Sequence, residues 1–293
     1  MSVPPNLPTR TGFPLELHRS LLKLHGAYAR RRASFHPAAS APRPEGVIVA
    51  ASYNVHKCVG VDNRFDPNRI ASVIAELDCD VLALQEADRR FGVRTGLLDA
   101  GALERKTGLT MLPVADNPGG HGWHGNALLV REGRLLRLRR IDLPGAEPRG
   151  ALVAELKLPA GKLRVVAAHL GLMRRHRAMQ AATLLAAIEE DNRRARERMP
   201  TLLMGDLNEW RPGVPSSLIA LESYFGSLAG GEPSFPSRLP FLALDRILGN
   251  PHNLVMSVEA HSSHLARLAS DHLPLRARID LAACQDAARA AAA

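Results

Sequence analysis

The sequence predicts an α/β fold built as one large domain, and three observations carry that prediction. Apolar runs of strand length recur along the chain, and each stops at or starts from a polar residue, as buried strands do when they deliver side chains to a site. A capped amphipathic helix separates the first two runs, and a long helix-compatible stretch precedes a later one. The chain has 293 residues, 46% hydrophobic and 23% charged, which is enough apolar material for a single ordinary globular core.

Residues 1–46 are punctuated by Pro4, Pro5, Pro8, Pro14, Pro37, Pro42 and Pro44 and form an extension with one helical stretch, Leu15 to Arg32. Leu17, Leu21, Leu24 and Tyr28 fall at helical spacing, and Arg19, Lys23, Arg30, Arg31 and Arg32 add positive charge. Such a helix either packs on the domain or lies on an anionic membrane surface. The domain itself is expected over residues 47–281. Its first strand runs from Val47 to Tyr53 and ends at Asn54. Asp66 can then cap a helix with Pro67 at its first position, and Ile70, Val73, Ile74 and Leu77 make the i, i+3, i+4, i+7 face. Val81 to Leu84 is a second buried strand, ending at Gln85-Glu86.

Leu128 to Val130, Leu135 to Leu143, Leu152 to Leu158 and Leu163 to Ala168 make a strand-rich middle expected to be antiparallel, with turns at Glu132-Gly133 and Pro159-Ala160-Gly161. The last of these strands ends at His169. A long helix is predicted from Arg175 to Met199, with Met179, Ala182, Leu185, Ala186 and Ile188 approximating one face. Its many arginines are either a solvated face or a surface that tracks phosphates. Leu202-Leu203-Met204 then leads into Gly205-Asp206-Leu207-Asn208-Glu209, an Asp and an Asn two residues apart at a strand end or, on a plainer reading, in a turn. Residues 211–240, rich in Pro, Gly and Ser, are expected to form a loop-rich lid over the site. Leu242-Ala243-Leu244 leads into Asp245, and Ser270-Asp271-His272 precedes a run from Leu273 to Ile279. Residues 282–293, mostly Ala, make a low-complexity tail.

Lys and Arg outnumber Asp and Glu, 38 to 29, giving a net charge of +9 that favours polyanions: nucleic acid, acidic lipid headgroups or phosphorylated small molecules. A genome bias toward arginine would give the same balance. Cys58, Cys79 and Cys284 lack the spacing of a disulfide framework or a zinc site and are expected as free buried thiols in a reducing compartment. The chain shows no secretory signal and no run of the roughly 18 apolar residues a transmembrane helix needs, so a cytoplasmic protein, with membrane contact only at its periphery, is expected.

The polar residues at the strand tips fall into seven stretches: SYNVH with Asn54, LQEAD with Glu86, HGNALLV with Asn126, AHLGL with His169, GDLNEW with Asp206 and Asn208, LDRIL with Asp245, and SDHLPL with Asp271 and His272. In this order they resemble the endonuclease/exonuclease/phosphatase superfamily, which includes DNase I-like nucleases, abasic-site endonucleases, neutral sphingomyelinases and inositol-polyphosphate phosphatases. The resemblance implies an α/β four-layer sandwich of two packed mixed sheets flanked by helices. It also implies a Mg²⁺- or Mn²⁺-dependent phosphoesterase acting on nucleic acid, a phospholipid-like molecule or a small molecule.

Breaking a phosphoester requires charge neutralisation on the non-bridging oxygens, an oriented water and a stabilised leaving oxygen. By resemblance Glu86 is the metal carboxylate, with Asn54 and Asp271 as further oxygens near the ion, Asn54 alternatively orienting the phosphate. Asp206 positions and deprotonates water or protonates the leaving group, held by Asn208. His272 contacts the scissile phosphate with Asp245 on its other ring nitrogen, and His169 is a second phosphate-side donor. Asn126 and Arg149 are substrate contacts. His121, His124, His176, His252, His261 and His264 have no metal-like spacing and read as surface or loop residues. His56 stands where abasic-site endonucleases commonly carry a second acidic ligand, and aromatic content of 4% leaves few side chains for base stacking, so a DNA-repair role fits less well. Asn-x-His-Lys and Phe235-Pro236-Ser237 are more similar to a small bacterial branch of the superfamily. A module that binds polyanions or membrane without catalysis is the alternative from another class.

Overall fold

The alternation of apolar runs resolves into two sheets in the computed structural model, which describes residues 44–284 apart from 90, 91, 196–198, 212–215 and 229. The predicted helix over 15–32 and the tail beyond 284 therefore lie outside the described residues. In chain order the elements are β1 (Val47–Asn54), α1 (Pro67–Leu77), β2 (Val81–Gln85), α2 (Ala100–Thr107), β3 (Thr110–Met111), β4 (Ala127–Val130), β5 (Arg134–Leu143) and β6 (Arg149–Leu158). There follow β7 (Gly161–His169), α3 (Arg174–Arg194), β8 (Thr201–Asp206), α4 (Ile219–Phe225), β9 (Asp245–Asn250), β10 (Val255–Ala260), α5 (Ala266–Ala269) and β11 (Leu275–Asp280). One sheet has the order β10-β11-β1-β2-β4-β3 and the other β5-β6-β7-β8-β9. Both are mixed, with β1 parallel to β2 and β7 parallel to β8 among antiparallel neighbours.

Both faces of the central strands are covered, which is why the sequence shows near-continuous apolar runs rather than alternation. In β1, Ile48 and Ala50 point into a core shared with Leu152, Leu156, Val165 and Met204 of the other sheet. Val49, Ala51 and Tyr53 point outward to Ile70, Val73, Ile74 and Leu77 of α1, with Leu103 of α2 and Ala266 of α5. On the far side, Val153, Val166 and Leu203 pack on Ala181, Leu184 and Ile188 of α3 and on Leu221 and Phe225 of α4. The result is the four-layer α/β sandwich that the motifs implied. Asp66 caps α1 by accepting from Arg69 N at 2.9 Å, with Pro67 in the first turn.

Three expectations are corrected. The buried face of α3 is His176, Arg177, Gln180, Ala181, Leu184, Ala187, Ile188 and Asp191, whereas Met179, Ala182 and Ala186 are exposed. The helix also stops at Arg194, followed by extended Ala195, short of Met199. Residues 211–240 are not simply a lid: α4 lies within them and is buried against the second sheet. In the tail, residues 281–284 are helical and Cys284 joins the inter-sheet core. All three cysteines are free and buried, as expected. Among the described residues, no helix is long and apolar enough to cross a membrane.

Strand direction positions the site. β1, β2, β7 and β8 end at Asn54, Gln85, His169 and Asp206, with Asn54 paired to Gln85 and His169 to Asp206. The antiparallel strands β6, β9 and β11 begin at that same end, Asp245 opposite Asp206 and Ala151 opposite Ala168. Ser52 of β1 likewise faces Leu275, the first residue of β11. An antiparallel strand that starts with a polar residue thus delivers it where a parallel strand ends.

Candidate active site

Asp206 Oδ2 is the point on which the strand tips converge. Asn54 Nδ2 donates to it at 3.0 Å, and His169 Nε2 and His272 Nε2 lie 3.4 and 3.7 Å away. The other oxygen, Oδ1, accepts from Asn208 N at 3.0 Å. Asn208 has φ 52°, a left-handed conformation that turns the chain back under the carboxylate, and its side chain donates to Leu170 O at 3.0 Å. Gly205 lets β8 press against β7: a Cβ there would sit 1.8 Å from Ala168 O. His272 Nδ1 lies 2.8 Å from Asp245 Oδ2, which also accepts from Ser234 Oγ. Ser270 Oγ donates to Asn54 O at 2.7 Å and accepts from His272 N at 3.2 Å, sewing the His272 segment to the end of β1.

The cluster is almost dry: Asp206, Asp245 and His272 are 2%, 1% and 5% exposed. Burial pushes the Asp206 carboxyl up to about 6, His272 opposing and Asp245 reinforcing the shift. Burial disfavours the charged His272 imidazole, but the carboxylates of Asp245 and Asp206 outweigh it and raise the ring to about 10.

His169 also lines an open cleft of about 460 Å³ together with Lys57, Glu86, Arg94, His124, Glu147 and Arg149. Arg149 Nη1 lies 2.8 and 2.7 Å from the two ring nitrogens of His169, and Arg149 Nη2 donates to Glu147 Oε2 at 2.7 Å. Glu147 Oε1 in turn accepts from Leu172 N at 3.0 Å, fixing the loop after β7. Glu86, with φ 57°, is ion-paired to Lys57. Lys57 sits in a turn, His56 to Cys58, whose φ angles of 44°, 53° and 60° are all left-handed. Such positions cost energy in non-glycine residues and persist only where their surroundings impose them. Among the described residues, six of the eight that have positive φ and are not glycine (His56, Lys57, Cys58, Glu86, His124 and Asn208) belong to this end of the sandwich.

With this arrangement in place, the comparison with known proteins is specific. The family model described as Endonuclease/Exonuclease/phosphatase family matches residues 51–272. The chain belongs to that family. Its members are phosphoesterases and nucleases, acting on phosphodiester or phosphate substrates. The uncharacterized protein YbhP of Escherichia coli is 36% identical over 172 residues, 56% of this chain; the match spans 65% of YbhP, just under two thirds of its length. Among solved structures, the fold is shared with a mannosyl-6-phosphatase from Bacteroides thetaiotaomicron (18% identity, TM-score 0.58, covering 78% of this chain and 98% of that one). It is also shared with D. rerio TDP2 complexed with single strand DNA product (17% identity, TM-score 0.53, covering 79% and 98%).

The donors present fit a hard divalent cation. Glu86 offers a partly accessible carboxylate at the cleft, and the ammonium of Lys57 on it shows that the position accepts positive charge. Asp206, Asp245 and His272 also place ligand atoms within 4.8 Å of one another, and Asp245 Oδ1 is buried without a hydrogen-bond partner, the kind of oxygen that takes a water or an ion. An imidazolium cannot ligate, however, and the two carboxylates beside His272 favour that charged form, so the trio is better suited to moving protons.

The other predicted positions divide. Asn54 uses both ends of its amide inside the protein, its Oδ1 accepting from His56 N at 3.1 Å, so it orients Asp206. Asp271 stands at the rim, 3.7 Å from His56 Nδ1. Asn126 is buried and donates to Gly150 O and Trp123 O, supporting the strand start that carries Arg149. Lys57, Glu147 and His124 were missed as site residues. Lys57 and His124 follow no periodicity, while the Glu147-Pro148-Arg149 charge pair across a turn was a readable signal. The reading of the remaining histidines as surface or loop residues is corrected for His176, which is buried in α3; His261 lies in a loop but is buried, 2.8 Å from Glu76.

Proposed function

We propose that this chain is a divalent-metal-dependent phosphoesterase that hydrolyses a phosphodiester by in-line attack of an activated water. The observation that supports it most directly is the meeting of Asn54, His169 and His272 on one oxygen of Asp206, beside a cleft lined by Glu86 and Arg149. A Mg²⁺ or Mn²⁺ ion held by Glu86, with Asp271 as a further oxygen, would neutralise charge on the phosphate and help orient water. Asp206, ionised above about pH 6, takes the proton of the attacking water and, once protonated, can pass it to the leaving oxygen. Asn54 and Asn208 N fix the direction of its lone pairs. His272, kept charged by Asp245, stabilises negative charge that develops on the phosphoryl oxygens, and Arg149 and His169 offer further donors from the cleft wall.

Replacing Asp206 or His272 by Ala should abolish EDTA-sensitive hydrolysis of bis(p-nitrophenyl) phosphate while circular dichroism stays unchanged; full activity in either variant rejects the mechanism. A nuclease would use the same chemistry, and TDP2, seen with a DNA product, and the mannosyl-6-phosphatase mark two directions the substrate could take. Strong binding to DNA or RNA that falls steeply with salt would select the first. Free buried thiols fit work in a reducing compartment.

A further inference from the structure

We infer that the end of the sandwich carrying the cleft docks on an anionic lipid bilayer. Scattered exposed apolar side chains are ordinary on a protein surface; their concentration at one end is not. Among the described residues eleven large apolar side chains are exposed, and seven of the eleven stand in loops at the end where the strands deliver the site. Leu172 and Met173 follow β7, Trp210 follows β8, and Leu239 and Phe241 precede β9, with exposures from 44% to 67%. Val93, 74% exposed, is next to the cleft residue Arg94, and Phe65 lies in the loop after β1.

The charge in the same loops matches an anionic surface. Arg64, Arg89, Arg211 and Arg238 are exposed there, with Arg175 in the first turn of α3, against the exposed acids Asp99 and Asp116, and Asp142 at the end of β5. Apolar side chains that enter the acyl boundary, with arginines at headgroup level, are the two components of interfacial binding. A nucleic acid explains the arginines but not the rest. Four of the seven apolar residues are aliphatic and offer no face for base stacking, and the Arg211 guanidinium lies over the Trp210 ring, 5.7 Å from its centroid. An indole with an arginine on it is well placed at a membrane interface, its ring apolar and its edge polar. Docking stands apart from the hydrolytic reading; only the consequence that headgroup phosphodiesters would be brought to the cleft rests on it.

The test is flotation of the full chain with vesicles of phosphatidylglycerol and phosphatidylcholine, beside vesicles of phosphatidylcholine alone. The wild-type protein should float with the anionic vesicles, and Leu172→Asp/Phe241→Asp should lower its partitioning about tenfold. Hydrolysis of bis(p-nitrophenyl) phosphate should be the same in both proteins. Of the two tryptophans, Trp123 is packed against the core with its Nε1 bonded to Ile141 O, so quenching by brominated acyl chains should come from Trp210. Absence of flotation, undiminished flotation of the variant, or unquenched emission overturns docking at this face. Equal loss of single-stranded DNA binding in the variant also overturns it, in favour of a nucleic-acid surface. A wild-type protein that floats but does not hydrolyse the soluble diester would remove the hydrolytic reading and leave docking in place.

Discussion

Asp206 is the residue on which the proposed chemistry turns, because its Oδ2 is shared by an amide and two imidazoles while burial keeps its proton affinity high. His272 is the complementary case, with its charge sustained by Asp245 against the cost of burial. Its folded pKa, about 10, lies above the ordinary 6.5, so the folded state binds this proton more tightly than the unfolded one. The stabilisation is therefore complete below about pH 6.5 and is lost as pH rises through about 10. In metal-free protein the His272 ring should remain doubly protonated through pH 8 by NMR titration, and Asp245→Asn should bring its titration down toward the ordinary range. A wild-type His272 that titrates near 6.5 would show that the two carboxylates do not govern it.

Strand ends are the elements that make the site, and they depend on close contact between neighbours. Gly205 permits the contact between β7 and β8 that brings His169 beside Asp206. A methyl group there meets Ala168 O, a backbone atom that cannot rotate away, at a φ of +150° that side chains rarely adopt. Gly205→Ala should cost about 3 kcal/mol, read as a fall in the denaturant midpoint, and reduce activity as the two strands separate. Helix α1 was readable because its capping residue and apolar period agree. The face of α3 was not, because half of it is polar and internally partnered. Arg177 donates to Ser217 Oγ and Leu172 O, Gln180 to Pro144 O, and Asp191 pairs with Arg139, so apolar periodicity points to the wrong side. The start of β9 at Asp245 was misplaced for a related reason: Leu242-Ala243-Leu244 looks like the strand but precedes it.

At the scale of the whole molecule, two sheets with opposite outer helix layers bring residues 54, 86, 169, 206, 245 and 272 to one end of a single core. An ion bound there in the folded state alone must stabilise the whole domain by mass action. Adding Mg²⁺ or Mn²⁺ should raise the melting temperature in a concentration-dependent way, and Glu86→Gln should remove most of that rise with little effect on the metal-free melting temperature. An undiminished shift in the variant would move the ion to the Asp206, Asp245 and His272 trio.

The order of apolar runs and polar tips along the chain was sufficient to determine an α/β class of fold and the capped helix α1, because strand burial and helix capping are local consequences of residue type, whereas the candidate site residues came from the resemblance that the seven motifs carry. Which groups share an atom was decided only by the tertiary structure. Strand direction set Asp245 opposite Asp206, the left-handed turn brought Lys57 to Glu86, and Glu147 locked Arg149 against the cleft. These contacts join residues as far apart in the chain as Asn54 and Asp206, and the distance and direction between such groups are set by packing, for which one-dimensional periodicity carries no signal.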